Sequence, residues 1–530
     1  MIKIKPEKLE GLVPRMLELT SRSTPWHRSD WRAGTLELVE ETLSESRIPG
    51  TYEKALSELR DHMANALRKD PGVSGKYKEG LIRCAKNISP SSDVDSYHVS
   101  LADKYVQELR QTYLENWAAI FDAPERAGDL DIEGTAKRIV SHLLYCGVPA
   151  SSVYKVVHER KNDIEEHEFS SVLRDLDKKS KTQVKNFSFA VPVGRAPDFL
   201  YPSPPSGWLT AQQLKQWKHR NAPNAEMIRH QGGFILTVEA RDVNEAAREA
   251  QGVLSQLSFK FQSGSDNEFD ILPKMWSQEK GNVFETRRRN HSLRLRAFKR
   301  ADALHQLEIT PKVRNILAII EPLQTHDPHV AVVNGWAAIE SLLVDSHEDD
   351  RVGAERMAGI IAASYFRTEL TWLARNYAEH YKDTCLLAKR ISESALSIDR
   401  AKLMSEAITK QDSFDRLNQT DRLAIDKMRE AIDHPNAVFD RTRNILTREF
   451  QRMYRKRNLI VHSGRAVENG IESVTDKVIP LLVNGIDQLL IANIQHGLDP
   501  KKLAALVDFK SQHLGERSKS DSLLDLLEFE

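Results

Sequence analysis

Met453-Tyr454-Arg455-Lys456-Arg457-Asn458-Leu459-Ile460-Val461-His462-Ser463-Gly464 decides how this chain is read. With Leu446 and Phe450 upstream, Met453, Ile460 and Gly464 keep the three-four spacing of a buried helix stripe. Arg457 falls on that stripe, where an apolar residue is expected. Asn458 and His462 are four apart and share a helix face. Ser463-Gly464 is a stop signal. The spacing predicts a helix over 437–463, capped by Asn436, with an arginine, an amide and an imidazole near its end.

Those side chains suit a phosphate. Arg presents a fixed fork of donors that matches phosphate oxygens and stays charged. His gives or takes a proton near neutral pH, and Asn orients a group without adding charge. RNA brings its own nucleophile, the 2′-hydroxyl. An imidazole can deprotonate it or protonate the leaving 5′-oxygen, while Arg stabilises the charge of the transition state. The products would be a 2′,3′-cyclic phosphate and a 5′-hydroxyl. The same residues admit a structural reading. An arginine on an apolar stripe snorkels or pairs with a carboxylate, and a histidine at a helix C-terminus complements the dipole. Spacing alone does not choose, because Arg-x4-His recurs at Arg22–His27, Arg300–His305 and Arg375–His380, the last also beginning Arg375-Asn376.

Arg457-Asn458-x3-His462-Ser463-Gly464 resembles the signature of the HEPN superfamily, helical domains with an Arg, a polar residue and a downstream His. Val333-Asn334-Gly335-Trp336-Ala337-Ala338-Ile339-Glu340-Ser341-Leu342-Leu343 is similar to the first helix of that family, above all of its ApeA-like members. Val474 to Ile494 is similar to its closing helix. The resemblance covers the chain from about residue 310 to 500. It implies a metal-independent endoribonuclease acting through Arg457, Asn458 and His462, with no cofactor and no metal. It further implies a homodimer whose two motifs face each other, and RNA such as tRNA or mRNA as substrate. Members serve as toxin-like effectors of anti-phage defence or abortive infection, under a phage-derived trigger or a cognate inhibitor. Others have lost activity and remain RNA-binding or dimerisation modules.

A chain of 530 residues exceeds one ordinary core. Hydrophobic residues at 40% and charged ones at 29% describe a globular protein. The formal net charge of zero gives no global field toward nucleic acid, so RNA contact must use local patches. Cys84, Cys146 and Cys385 are isolated, which argues against a disulfide framework or a cysteine metal site. The N-terminus has no signal-type apolar segment, and no apolar run approaches a bilayer span. The expectation is a cytoplasmic protein without a membrane partner.

The fold expected is mainly α: a helical N-terminal region at 1–185, a small α+β domain at 186–305, a HEPN-like helical bundle at 306–498 and a polar tail at 499–530. Helical spacing marks 34–46, 51–68, 101–121 and 133–146, and Ser151 or Ser152 caps the next helix. The charges of 163–185 read as a solvated helix face. Phe187–Val193, Phe234–Ala240 and Leu257–Phe261 read as strands, with more at Phe269–Leu272 and Val283–Thr286 and a helix at Val243–Leu254. No glycine-rich phosphate loop, Walker sequence or nucleophile elbow occurs. A basic run holding Arg287, Arg288, Arg289, Arg294 and Arg296 precedes the bundle and is read either as an RNA contact or as exposed, internally paired charge. Glu340, embedded in the apolar run Val330–Val344, is placed to pair with Arg457. His347-Glu348-Asp349-Asp350 reads as an exposed connection rather than a metal cluster. Helices are expected at 352–365, 369–392 and 474–495, with 408–422 polar and loop-like. Leu523-Leu524-Asp525-Leu526-Leu527 is an apolar cluster able to dock on the body or a partner.

Overall fold

A computed structural model describes residues 11–21, 23–48, 53–90, 96–123, 130–160, 169–195, 206–264, 270–279, 281–287, 295–301, 303–324, 327–382, 385–463, 470–515 and 523–528. The protein is mainly α, with a small antiparallel sheet in the middle of the chain and helices at both ends. Residues form two compact units. One holds the chain to Asn116, then 120–145 and 291–530; the other holds 117–119 and 146–290. The boundary expected at 185 therefore moves to 145, and the N-terminal helices share a unit with the C-terminal bundle.

The N-terminal part comprises α1 (Leu12–Thr20), α2 (Thr35–Ser46), α3 (Glu53–Lys69), α4 (Gly75–Asn87), α5 (Tyr97–Asp122) and α6 (Ile132–Tyr145). Most follow the expected spacing; α4 does not announce itself, because it buries only Gly80, Leu81, Cys84 and Ala85.

The second unit begins with α7 (Ala150–Arg160) and α8 (Phe169–Ser180). Ser152 lies inside α7 rather than capping it, and its hydroxyl donates to Asp242 Oδ2 at 2.7 Å. Next come β1 (Lys185–Arg195), β2 (Trp208–Thr210), α9 (Ala211–Asn221), β3 (Gly232–Ala240), α10 (Val243–Gly264), β4 (Asp270–Ile271), β5 (Lys274–Ser277) and β6 (Val283–Glu285). The sheet order is β2-β3-β1-β5-β6, with β4 also paired to β1. Alternate residues of β1 explain the layers. Phe187, Phe189, Val191 and Val193 bury against Ala246, Ala250 and Leu254 of α10, while Ala190 packs on the other face with Leu214 of α9 and Trp276. Gly233 permits the β1–β3 approach, since a Cβ there would lie 2.3 Å from the Val191 carbonyl oxygen. Leu257–Phe261, expected as a strand, is the last third of α10. Its aromatic and β-favouring residues mislead because the helix periodicity of 243–254 continues through them.

The first unit resumes with α11 (Ala297–Arg300), α12 (Pro311–Ile320), α13 (Pro328–Leu343), α14 (Arg351–His380), α15 (Leu386–Glu393), α16 (Ser397–Thr409), α17 (Gln419–Asp433), α18 (Pro435–Ser463), α19 (Ile471–His496) and α20 (Pro500–Gln512). The core axis is α14, with Met357, Ile360, Ile361, Phe366 and Leu373 fully buried. It is one helix where two were expected. The Phe366-Arg367-Thr368 junction continues it, with Phe366 in the core. Within 408–422, α17 starts at Gln419, its N-terminus capped by the Asn418 side chain. Pro435 opens α18, so Asn436 lies within the first turn and does not cap it. The tail is not wholly polar: α20 buries Leu503, Ala504 and Val507, and Leu523, Leu524 and Leu526 dock on the same core. Among the described residues α19 alone is long and apolar enough to cross a membrane, and 61% of its most apolar window is buried in this unit.

Candidate functional site

Helix α18 delivers the site, and the first part of its apolar stripe is as the spacing requires, while Ile460 is partly buried and Gly464 lies outside the described residues. Leu446, Phe450 and Met453 are fully buried. Over Met453 lies Gly335 of α13, where a Cβ would fall 2.2 Å from Met453 Cε, so the missing side chain lets α13 and α18 close together. That approach packs buried Trp336 against Tyr454, ring centroids 4.8 Å apart and planes tilted by 47°, and brings Glu340 to Arg457.

Glu340 acts through both oxygens. Oε1 accepts from Trp336 Nε1 at 2.5 Å, and Oε2 lies 3.8 Å from Arg457 Nη2. Arg457 Nη1 donates to Asn458 Oδ1 at 2.9 Å. The Arg457 and Glu340 side chains each keep a quarter of their surface exposed. At 3.8 Å the ion pair is loose, and Arg457 makes one hydrogen bond among the described residues, so most of its five donors have no partner among them. Position 462 is helical, one turn beyond Asn458, and the His462 side chain lies outside the described residues.

On another face of α18 lies a knot of charge. Buried Arg452 donates through Nε to Glu41 Oε2 at 2.5 Å and through Nη2 to Glu37, both carboxylates coming from α2. Arg455 Nη2 reaches Glu41 Oε1 at 2.8 Å, and Lys477 of α19 lies 3.7 Å from Glu37. Burial resists ionisation of Glu41, yet Arg452 and Arg455 outweigh it and hold the carboxyl down to about 2. Glu37, buried likewise beside Arg452 and Lys477, falls well below the usual carboxylate range. Glu449 behaves oppositely. Burial pushes it up to about 7, because Arg452 stands 3.7 Å away and is already shared. Sequence reading missed this knot. The available signal was Glu37 and Glu41, four apart on a helix whose Leu36, Val39 and Leu43 are core residues.

The second Arg-Asn segment ends α14 and is assembled differently. Asn376 Nδ2 donates to both oxygens of fully buried Asp421, at 3.2 and 3.0 Å. Asp421 also accepts from Arg28 at 2.6 Å, and Arg28 grips Glu369 at 2.7 and 2.9 Å. Arg375 is left exposed and away from this network.

Of the basic run, Arg287 and Arg296 are exposed; Arg288, Arg289 and Arg294 lie outside the described residues. Glu348 and Asp349 are taken by Arg356 at 2.6 Å and Arg351 at 2.7 Å, as suits an exposed connection. A cavity of about 350 Å³ opens near the start of α18, lined by His27, Arg28, Glu133, Tyr365, Glu369 and Lys427. Two of its cations are spent on its own carboxylates: Arg28 on Glu369, Lys427 on Glu133 at 2.9 Å. No family model, curated protein or solved structure matches the chain.

Proposed function

We propose that the bundle around α13, α18 and α19 is a HEPN-type, metal-independent endoribonuclease. The observation that carries this reading is the Arg457–Asn458 pair. The guanidinium donates to the amide at 2.9 Å, stands 3.8 Å from Glu340, stays a quarter exposed, and precedes position 462 by little more than a turn. In the reaction His462 takes the 2′-hydroxyl proton. The 2′-oxygen bonds to phosphorus and the bond to the 5′-oxygen breaks. The 5′-oxygen leaves with a proton from solvent, to which His462 then releases the one it took, and a 2′,3′-cyclic phosphate remains. Arg457 stabilises the added negative charge and Asn458 orients Arg457. Glu340 holds the guanidinium in place without neutralising it.

The protein acts as a cytoplasmic, dimeric effector whose RNA cleavage stops growth during phage infection, under a trigger or inhibitor. The deciding experiment incubates wild type and His462→Ala with total RNA and tRNA in EDTA and maps product ends. Wild-type cleavage to 2′,3′-cyclic ends, absent in His462→Ala, is the expected result. Equal cleavage by both proteins removes His462 from the site. The dimer is checked by sizing, and the defence role by phage challenge of cells carrying either protein.

One observation favours a second reading, an inert RNA-binding or dimerisation module: Arg457 already has a carboxylate and an amide as partners. On that reading His462→Ala lowers the melting temperature and changes no activity.

A further inference from the structure

Beside the Arg457 cluster, α18 carries a second set of cations that the nuclease reading leaves unused. Seven residues of α-helix turn through about 700°, returning to within roughly 20° of the starting direction. Arg448, Arg455 and position 462 are spaced by seven, so they fall along one line of α18, about 10 Å apart. Arg457, five residues before position 462, lies about 140° away from it around the helix. The line that leads to the imidazole position is therefore the arginine line.

The surroundings leave that line positive. Arg448 is exposed and has no ion pair among the described residues. Arg455 keeps 16% of its side chain exposed, and its Nε has no hydrogen-bond partner. Its carboxylate partner, Glu41, is shared with fully buried Arg452 and so neutralises neither completely. Arg32, exposed on the segment leading into α2, adds another cation without an ion pair among the described residues. Glu45 is a further carboxylate near Arg455; burial disfavours its ionisation and Arg455 favours it. His62 of α3 sits among Arg448, Glu41, Arg455 and Arg32. Burial, with Arg448 next, holds its imidazole down to about 4, so it is neutral at physiological pH and adds no charge of its own.

We infer that the Arg448–Arg455 line of α18, flanked by Arg32, is a track for the phosphate backbone of single-stranded RNA, delivering it to position 462. The inference rests on the nuclease reading and names how its substrate is held. Single-stranded RNA is the occupant that fits. The complementary charge is a repeating anion, and the contacts are guanidiniums suited to phosphate. An in-line attack also needs a 2′-hydroxyl free to swing opposite the leaving oxygen, which an unpaired strand allows. The N-terminal helices thereby belong to the substrate surface: α2 supplies the carboxylate that orients Arg455, and α3 the neutral imidazole beside it.

The test measures binding apart from cleavage. Full-length His462→Ala is titrated with a short labelled single-stranded RNA by anisotropy over a range of salt, alone and combined with Arg448→Gln or Arg32→Gln. Both added changes are at exposed side chains, and melting curves confirm that the fold is kept. Each arginine removed lowers the log–log salt slope by about 0.7. Lys389→Gln, an exposed cation on α15, leaves it unchanged. An unaltered slope in both arginine variants overturns the track, as does failure of the His462→Ala protein to bind RNA at low salt. Wild-type cleavage, read separately, decides the nuclease reading. A wild type that cleaves beside variants of unchanged slope loses the track and keeps the nuclease.

Discussion

Two segments of this protein read Arg-Asn-x3-His, at 375–380 and 457–462, and each ends a long helix. Each also lies near a buried arginine–carboxylate knot tied by N-terminal residues: Arg28 with Glu369 and Asp421, and Arg452 with Glu37 and Glu41. The outcome differs because of where the knot's carboxylate points. At the first segment Asp421 captures Asn376, which separates the amide from its arginine. At the second the knot draws on Arg452 and Arg455, and Asn458 is left to Arg457. A motif of this type is thus set by what its neighbours consume, and identical spacing gives an anchor in one place and an accessible cluster in the other.

The largest effects fall on the knots. Arg28→Ala removes the arginine shared by Glu369 and Asp421; Arg452→Ala removes the one shared by Glu37 and Glu41. Removing one partner of a buried pair costs about 3–5 kcal/mol. Chemical denaturation of each variant should show losses of that size. A loss under about 1 kcal/mol in either would mean water reaches the carboxylates and the knot is not buried in solution.

Next in size is the contrast between the arginines themselves. Arg457→Ala should lower RNA cleavage by about 10²–10³-fold, the cost of one transition-state donor. Arg375→Ala should leave both cleavage and melting within error. Equal losses from the two would erase the distinction between captured and free amides.

What could be read in advance follows the same division. Apolar periodicity revealed α18, α13 and α19, because their buried stripes are continuous: Leu446, Phe450 and Met453 in one, Trp336 and Ile339 in another. The Glu340–Arg457 pairing was legible because a lone acid in an apolar run must find a cation. The knots were not. Glu37, Glu41 and Asp421 look like ordinary solvated acids, since their partners lie hundreds of positions away. That long-range pairing is also why residues 1–185 read as a separate region, when the chain to Asn116 and 120–145 share a unit with the bundle. Helix α17 was passed over for a similar reason. Its stripe of Ala424, Ile425, Met428 and Ile432 is interleaved with charges that dominate the local composition.

The second knot has an acid the first lacks, and pH should expose it. Glu449 is raised in the folded protein to about 7 from 4.5. A raised carboxyl binds its proton more tightly folded than unfolded, so stability falls as pH climbs from about 4.5 to about 7 and the loss is complete above that. Glu41, held down to about 2, works in the other direction and costs stability only as pH falls below about 4.5. Glu449→Gln isolates the first effect. The variant should be the more stable protein at pH 8, with the advantage shrinking toward pH 5 in paired melting curves. An advantage that is constant with pH would mean that Glu449 binds its proton no more tightly in the folded protein than in the unfolded chain.

The smallest expected effect asks whether Arg457 is held or merely neighboured. Glu340→Gln keeps an oxygen for Trp336 Nε1 and removes only the charge facing Arg457 across 3.8 Å. With both side chains a quarter exposed, an attraction of this kind is worth under about 1 kcal/mol. Cleavage should therefore fall by less than about five-fold and stability should barely move. A loss relative to wild type that shrinks as salt is raised would assign it to charge, since screening weakens the wild-type pair that the variant lacks. A drop matching that of Arg457→Ala would instead make the Glu340 carboxylate part of the chemistry. The essential contact at α18 would then be an acid–arginine dyad, and the difference from the Arg375 segment would come from Glu340 rather than from the freedom of Asn458.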